Sequence, residues 1–363
     1  MKHIHFLSTR DRITDFAWYP IRYNRGRLRE LGYRCSIGYD AAPRSLSCDI
    51  LCVNSKYFRR KWHEPATVFS FLREARRYAA TIIWFDDSDS TGVTHFEVLP
   101  LVDLYLKKQL LKDRHLYARK FYGDRIFTDF YHRTFQVEDE GVIYHSQPID
   151  PALLPKVDLS WHIGLGDMAG DILPYPLLRR YLPASYGVKF TPPDGERPLD
   201  VMSRGSVFYG RNTIRFHREQ IRSRLEEMKD INLAAAGRVS IAKYKKESSL
   251  AKLIVSPFGW GELGVRDFEA SLHGAALVKP DMSHMDTWPD IFVPGETYEP
   301  LAWDFSDLAG KIRALLADTP RRIELARNGQ DAYRAMISAK GMEDFCLWFD
   351  SRMKMAEARK EHG

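Results

Sequence analysis

The first half of the chain alternates short apolar runs with longer amphipathic segments. Short apolar runs are typical of strands buried on both faces, and apolar residues recurring every three or four positions are typical of helices. The predicted strands and helices are a strand over 2–9, strands over 33–39 and 48–55, a helix over 66–79, a strand from 81 into an acidic turn, and a strand that enters a helix over 102–113. Strands that alternate with helices predict βαβ units on a parallel sheet.

The same alternation begins again after a proline-rich segment, TPPDGERPLD. The predicted elements of this half are strands in 199–210, 231–239, 253–255 and 274–280, helices over 211–228 and 264–273, at least one long helix in 306–336, and an amphipathic tail helix. The fold class that we predict is α/β, with two Rossmann-like domains facing a cleft. The predicted boundaries are a first domain over 1–190, a linker over 191–198, a second domain over 199–340, and a C-terminal helix over 341–363 that can cross back to the first domain. Ligands of such sheets bind outside the carboxyl ends of the strands, so we expect the site in the cleft.

A glycine-rich turn joins a strand to a helix in SPFGWGELGVRDFEASLHGAALVKPD, residues 256–281. Gly259 and Gly261 let backbone amides approach an anion near a helix N-terminus, where the helix dipole is favourable. Glu269 suits two vicinal ribose hydroxyls, and Arg266 suits a phosphate. An ordinary strand-to-helix turn with a solvated glutamate is the alternative on these residues alone.

The order glycine turn, R-x-x-E-A, then H-G-A-A-L-V-K-P-D resembles the donor-binding half of GT-B glycosyltransferases of the group-1 superfamily, most clearly over 199–340. The resemblance implies a nucleotide-sugar donor, with Glu269 at the ribose, and retention of anomeric configuration. The family's common form spaces two glutamates as E-x₇-E, and Glu262 lies one residue late for that spacing. We expect either Glu262 on a shifted loop or backbone amides to fill that place. The other residues expected to bind the donor are Arg204, Gly210, Arg211 and Lys243.

An acidic turn, WFDDSDSTG, follows the strand that begins at 81 and holds Asp87 and Asp89. Aspartate and serine favour helix N-caps and turns, which is one interpretation. A second is the D-x-D element of a GT-A glycosyltransferase, which binds Mn²⁺ or Mg²⁺. We favour a third, in which one aspartate faces the acceptor as base or nucleophile, with Asp87 ahead of Asp89.

Two further loops are expected on the acceptor side of the cleft. Arg10 and Arg12 follow the first strand, and His162 and Asp167 lie in the glycine-containing DLSWHIGLGDMAGD. The placement of Arg10 and Arg12 is what the family resemblance implies. An ordinary glycine-containing loop is the alternative for His162 and Asp167, and surface charge is the alternative for Arg204 and Arg211.

Composition narrows the class of protein. The 363 residues carry a net charge of +6, which suits an anionic ligand, and the basic residues are too scattered to predict nucleic-acid binding. The four cysteines fit no paired framework and no zinc spacing, so we expect buried thiols in a reducing compartment. In the GT-B interpretation, basic groups and helix termini stabilise the leaving diphosphate, so we expect no metal and no cofactor. No apolar run approaches the roughly 20 residues that span a bilayer, and the N-terminal apolar stretch is too short for a signal peptide. We therefore predict a cytoplasmic protein, peripheral at the inner face of the membrane.

The predicted function is glycosyl transfer from a nucleotide sugar to a hydroxyl acceptor. A saccharide or lipid-linked saccharide of bacterial surface polysaccharide, lipopolysaccharide or glycolipid assembly is the expected acceptor. Three alternatives stay open: a metal-dependent GT-A-like transferase using Asp87 and Asp89, a GT-B-fold sugar-nucleotide epimerase, and a non-catalytic nucleotide-sugar binding protein.

Overall fold

The computed structural model of the chain describes residues 1–141, 145–166, 182, 185–235, 237 and 239–360. Within these residues strands and helices alternate in both halves. The strands of the first half are β1 (Lys2–Leu7), β2 (Tyr33–Gly38), β3 (Cys48–Asn54), β4 (Ala79–Asp86), β5 (Leu104–Lys107), β6 (Gln109–Leu111) and β7 (Val157–Leu159). Its helices are α1 (Arg12–Ala17), α2 (Tyr19–Tyr23), α3 (Arg25–Glu30), α4 (Pro43–Leu46), α5 (Pro65–Ala75) and α6 (Ile126–Phe135).

The second half follows the same plan. Its strands are β8 (Leu199–Ser203), β9 (Leu233–Ala235), β10 (Ala251–Val255), β11 (Ala276–Pro280), β12 (Met285–Thr287) and β13 (Glu299–Leu301). Its helices are α7 (Asn212–Glu227), α8 (Ile241–Leu250), α9 (Val265–His273), α10 (Leu308–Ala317), α11 (Thr319–Met336) and α12 (Ala339–Lys360).

Each half builds one parallel sheet. The strand order is β2-β1-β3-β4-β5-β7 in the first sheet and β13-β11-β10-β8-β9 in the second. In both sheets the second strand lies on one side of the first strand and the third strand lies on the other, which is the switch point where ligands of doubly wound sheets bind. This topology confirms the predicted α/β fold with two Rossmann-like sheets, and it directs attention to the carboxyl ends of β8 and β10.

The central strands of the first sheet are apolar on both faces. Ile50, Leu51 and Val53 of β3 and Ile82 and Ile83 of β4 are fully buried. Helices cover both faces of a parallel sheet, so its strands read as continuous rather than alternating apolar runs. That pattern is why these strands could be located from sequence.

The segment 102–113 differs from its prediction. Instead of a strand entering a helix, it forms β5 and β6, and a 3₁₀ turn follows. β6 pairs antiparallel with β12 of the second half, with Leu110 opposite Asp286. Leu110 and Leu111 are fully buried in this pairing. The apolar spacing of this segment predicted a helix, but the pairing of β6 with β12, which joins the two halves, stabilises a strand instead.

The last helix, α12, packs against the first half of the chain. The hydroxyl of Tyr33 donates to Asp350, with 2.8 Å between oxygens, and Arg352 pairs with Asp158 at 3.1 Å. The ring of Phe349 contacts Phe6 of β1 and Tyr33 of β2. No helix among the described residues, α12 included, has the length and apolar character to cross a bilayer.

Candidate functional site

A cleft of about 520 Å³ lies at the carboxyl ends of β8 and β10, between the two halves. Ser256 and Pro257, which directly follow β10, form its floor, and the glycine turn and the first turns of α9 form one wall. The first half contributes Asp89 and Ile163 to the opposite wall. The other lining residues are Tyr209, Arg218, Tyr244, Gly259, Trp260, Gly261, Leu263, Gly264, Val265, Arg266 and Glu269.

Two arginines line this cleft with no carboxylate partner among the described residues. Arg218 of α7 is 6% exposed, and it donates only to backbone carbonyls: to that of Ser206 at 2.6 Å and to that of Phe258 at 2.7 Å. Arg266, in the first turn of α9, has a buried Nε without a hydrogen bond. A Cβ placed on Gly205 would lie 2.6 Å from the first guanidinium and 2.8 Å from the second, so the two converge on this glycine.

Neither of these arginines makes an ion pair with the described residues. Burial, and then the charge of Arg266, lower the pKa of Arg218 to about 10, with Tyr209 opposing them. A guanidinium with that pKa stays protonated at neutral pH. Because a buried charge is normally paired, the buried Arg218 beside the half-buried Arg266 is suited to an anion with more than one charge.

Glu269 also faces the cleft and is held by a tyrosine. The hydroxyl of Tyr244 donates to Oε2 of Glu269 at 2.7 Å, and burial raises the pKa of Tyr244, which keeps that hydroxyl protonated. Oε1 has no partner among the described residues. The carboxylate is thus oriented, with one oxygen left to accept from a ligand hydroxyl.

The glycine turn contacts the first half directly at Gly261. A Cβ at this position would overlap the backbone carbonyl of Asp89. That carbonyl also accepts a hydrogen bond from Nε2 of Gln109 at 2.7 Å. Gly261 is therefore required by the close approach of the two halves, in addition to lining the cleft.

Glu262 is one of the residues expected to bind the donor, but its side chain does not lie in the cleft lining. Its side chain is fully buried and points into the first half, where it accepts hydrogen bonds from Ser90 Oγ (3.0 Å), from the backbone N–H and hydroxyl of Thr91 (3.1 and 2.7 Å) and from Gln109 (2.8 Å). Burial alone raises its pKa, but the adjacent His284 and these donors hold the pKa at about 2. Glu262 binds the two halves together and does not line the cleft.

The acidic turn after β4 is neutralised by lysines. Lys107 contacts the fully buried Asp86 at 3.0 Å. Asp87, 3% exposed, lies 3.0 Å from Lys108 and 3.1 Å from Lys56. Asp87 does not line the cleft, so the geometry gives no support to its predicted role as base.

The D-x-D interpretation of this turn is also unsupported by the geometry. Both of its carboxylates, Asp87 and Asp89, face lysine ammonium groups. No group of three or more histidine, cysteine or acidic side chains in the described part of the chain is arranged to hold a metal ion.

Four other residues expected to bind the donor lie outside the cleft lining. Arg204 is held by Glu247 in a two-pronged ion pair, with hydrogen bonds of 2.8 and 2.9 Å. Arg211 donates to a backbone carbonyl of the first half at 2.6 Å. Lys243 is exposed, and Gly210 has no neighbour near the position of a Cβ. Of the residues expected to bind the donor, the structure brings together in the cleft lining Gly259, Gly261, Arg266 and Glu269.

The residues expected on the acceptor side are less informative. Arg10 is exposed, with its guanidinium 5.0 Å from the ring centre of Tyr39. His162 is buried: its Nδ1 accepts from the N–H of Gly164 at 3.0 Å, and its Nε2 faces the carbonyl of Pro289 at 2.8 Å. Burial lowers the pKa of His162 to about 4, so it is a neutral structural group. The side chain of Arg12 and all of Asp167 lie outside the described residues.

Sequence reasoning missed Arg218, Tyr209 and Trp260. A signal for Arg218 is present, since it falls on the buried face of α7 with Ile214 and Ile221. An arginine in an apolar helical stripe is rare unless something pairs with it. The two aromatic residues lie in loops and carry no such pattern.

No family model matches the chain, and no curated protein matches it. Solved structures that match it include HepE of Anabaena in complex with UDP (10% identity, TM-score 0.45, 98% of this chain and 100% of that chain). They also include an α-glucosyltransferase in complex with UDP-glucose and DNA containing an abasic site (8% identity, TM-score 0.46, 95% and 99% of the two chains). A third is sucrose-phosphate synthase of Thermosynechococcus elongatus (12% identity, TM-score 0.45, 99% and 100%). GT-B glycosyltransferases, which the sequence resembles, are thus among the structures that match. At these identities and TM-scores we take the fold from the chain's own sheets and the site from its own residues.

Proposed function

We propose that the protein is a glycosyltransferase that binds a nucleotide sugar in the cleft and transfers its glycosyl group to a hydroxyl acceptor. The observation that carries this proposal is the pair of cleft arginines, Arg218 and Arg266, which have no counter-charge among the described residues. A diphosphate supplies two negative charges and accepts hydrogen bonds from guanidinium groups in fixed geometry. The position at the switch point of the second sheet supports a nucleotide ligand.

The neighbouring side chains suit the rest of a nucleotide. Glu269 offers an oriented carboxylate for ribose hydroxyls. Tyr209 and Trp260, with ring centres 5.5 Å apart, give an aromatic surface on which a base can stack. These three side chains line the same cleft as the two arginines.

The proposed reaction exchanges one bond at the anomeric carbon. The bond from this carbon to the diphosphate oxygen breaks and its electron pair leaves with the diphosphate, a bond to the acceptor oxygen forms, and the acceptor hydroxyl passes its proton to the released diphosphate oxygen. Negative charge grows on the departing diphosphate, and Arg218, Arg266 and the backbone amides at the start of α9 are placed to stabilise it. We propose that this needs no metal ion. Retention of configuration is proposed from the sequence resemblance.

We propose an anionic or membrane-borne acceptor, such as a lipid-linked saccharide of surface-polysaccharide or glycolipid assembly. Support comes from the loop after β3, where Arg59, Arg60 and Lys61 are exposed and make no ion pair with the described residues. Lys56, earlier in the same loop, lies 3.8 Å from the cleft residue Asp89. Binding to vesicles that contain anionic lipid, measured at low salt, tests the membrane part, and absence of binding would remove it.

The experiment for the function is a calorimetric screen of UDP, GDP, ADP and CMP and their sugars against wild type and Glu269→Ala. We expect one nucleotide to bind wild type and to bind Glu269→Ala at least tenfold more weakly, because a hydrogen bond from a ribose hydroxyl to the free oxygen of this carboxylate contributes about 1.5–3 kcal/mol. A control, Glu247→Ala, removes a carboxylate outside the cleft lining and should leave affinity unchanged. Binding that ignores Glu269, or no binding at all, contradicts the proposed function.

Measuring donor turnover with and without an acceptor distinguishes a transferase from the alternative functions. Donor consumption that requires an added saccharide acceptor supports transfer. Conversion of the donor without acceptor indicates an epimerase or hydrolase. Binding with no turnover across acceptors indicates a binding protein.

A further inference from the structure

Asp89 is the one carboxylate that the described first half contributes to the cleft. Its side chain is 49% exposed, whereas that of Asp87, two residues earlier, is 3% exposed. The two aspartates share the same lysines. Exposure to the cleft, rather than charge, is what distinguishes them.

The backbone of Asp89 is fixed against the glycine turn. Its carbonyl accepts from Gln109 and packs where a Cβ on Gly261 would lie. The next residue, Ser90, donates to the buried Glu262 at 3.0 Å. Asp89 is therefore held in register with the segment that, under the proposed function, binds the donor.

The two oxygens of the Asp89 carboxylate differ in their contacts. Lys108 lies 3.0 Å and Lys56 3.8 Å from the same oxygen, Oδ1. Oδ2 has no partner among the described residues. One oxygen thus orients the group and the other is left to accept hydrogen bonds, as Oε1 of Glu269 is on the opposite wall.

This setting makes Asp89 a strong acceptor and a weak base. Burial alone raises the pKa of Asp89, but Lys108 and Lys56 outweigh it and hold the pKa well below its usual range. A group with so low a pKa takes a proton poorly at neutral pH. As an ionised carboxylate it still accepts charge-assisted hydrogen bonds from hydroxyl groups.

We infer that Asp89 binds hydroxyl groups of the donor's glycosyl moiety and so selects which sugar is transferred. This inference rests on the proposed function. The glycosyl group is attached to the diphosphate, which we place at Arg218 and Arg266. Asp89 lines the same cleft as these arginines, and it is the carboxylate that the described first half adds to that lining. The role differs from that of base or nucleophile, since Asp89 contacts hydroxyls that do not react.

Calorimetry with and without the sugar tests this role. UDP and UDP-glucose form one probe pair, and GDP and GDP-mannose form a second. For wild type and Asp89→Asn, we expect the affinity for the matching nucleotide sugar to fall at least tenfold in the variant. The affinity for the free nucleoside diphosphate should stay within about twofold, since Asp89 does not contact the diphosphate.

Asp87→Asn is the matched control, because it removes a charge from the same two lysines outside the cleft lining. We expect the ratio of nucleotide-sugar to nucleotide affinity to stay at the wild-type value in this variant. If Asp89→Asn weakens both ligands equally, or if Asp87→Asn changes the ratio as much, Asp89 acts through the lysine network and the inference is wrong. A thermal melt of each variant shows whether it is folded.

The remaining outcomes are also decisive. If Asp89→Asn leaves both affinities unchanged but raises KM for a saccharide acceptor, Asp89 binds the acceptor and the inference is overturned. If wild type binds no nucleotide and no nucleotide sugar, the proposed function fails and the inference falls with it. If nucleotide binding holds and only the sugar-dependent difference is absent, the proposed function stands without this inference.

Discussion

The charged residues on the two sides of the cleft are balanced in different ways. On the first-half side, which we call the neutral wall, Lys56, Lys107 and Lys108 face Asp86, Asp87 and Asp89, and of these six residues Asp89 lines the cleft itself. On the second-half side, which we call the unbalanced wall, Arg218 and Arg266 make no ion pair with the described residues. The lysines and aspartates are paired within the protein, whereas a bound anion would supply the partner of the two arginines.

This difference separates structural charge from functional charge. Removing one partner of a buried ion pair leaves an uncompensated charge. We therefore expect substitutions in the neutral wall to lower the free energy of unfolding. A buried cation without an ion-pair partner already carries the cost of an unpaired charge in the free protein. We therefore expect substitutions in the unbalanced wall to change ligand affinity. Conspicuous acidic residues therefore need not be catalytic, and the functional residue can be an arginine hidden in a helix.

The largest expected effect is on the neutral wall. Lys107→Met should lower the free energy of unfolding by about 3–5 kcal/mol, because Asp86 would keep its charge in a fully buried site without its cation. Chemical denaturation monitored by circular dichroism measures this. Lys340→Met, which breaks an exposed pair on α12, should leave the midpoint unchanged. If the two variants unfold alike, the lysine–aspartate array is not structural.

The second effect is on the unbalanced wall and is an effect on binding. Arg218→Met should weaken nucleoside diphosphate binding at least a hundredfold, equivalent to about 3 kcal/mol or more, because a charge-assisted contact is lost from a desolvated site. In the free protein the same change removes a buried cation but also leaves the backbone carbonyls of Ser206 and Phe258 without their donor, so it should destabilise the fold less than Lys107→Met does.

The control lies on the same helix. Arg215→Met removes an exposed arginine that hydrogen-bonds Asn212 at 2.9 Å, and both readouts should stay at wild type. If Arg218→Met destabilises the free protein as much as Lys107→Met does, Arg218 is a structural residue like the lysine and no ligand is needed to explain it.

The same contrast explains what could be predicted from sequence. Strands such as β3 and β4 are found because burial on both faces produces a local apolar run. A strand, a glycine turn and a helix start follow one another in sequence, so four residues of the cleft lining could be predicted: Gly259, Gly261, Arg266 and Glu269. The partners of Glu262 and Asp87 could not be found in this way, because they are long-range contacts between segments that carry no mutual pattern.

A third prediction concerns the contact that joins the walls. Glu262 has a pKa of about 2 against an ordinary value of 4.5, so its ionised form stabilises the folded protein. A depressed pKa gives stability that is fully present above pH 4.5 and is lost as pH falls toward 2. Glu262→Gln should therefore lower stability by up to about 3 kcal/mol at pH 7.

The pH series distinguishes this cause from a packing defect. The difference in melting temperature between wild type and Glu262→Gln should shrink between pH 5 and pH 3, within the window set by the two pKa values. Glu324→Gln, an exposed partner of Arg321, should show no such convergence. A difference that stays constant with pH would mean that shape, not charge, holds the two halves.

The smallest expected effect is that of removing divalent cations. The aspartates of the neutral wall already face lysines, so a Mg²⁺ or Mn²⁺ ion would have to displace ammonium groups that lie about 3 Å from Asp87 and Asp89. Under the proposed function, the arginines of the other wall bind the diphosphate without a metal. Nucleotide affinity measured by calorimetry should therefore be the same with EDTA and with added Mg²⁺ or Mn²⁺. If nucleotide affinity instead depends on the cation and this dependence is lost in Asp89→Asn, a metal ion binds at Asp89 between the two walls. The neutral wall would then, like the unbalanced wall, gain a charged partner only when ligand binds.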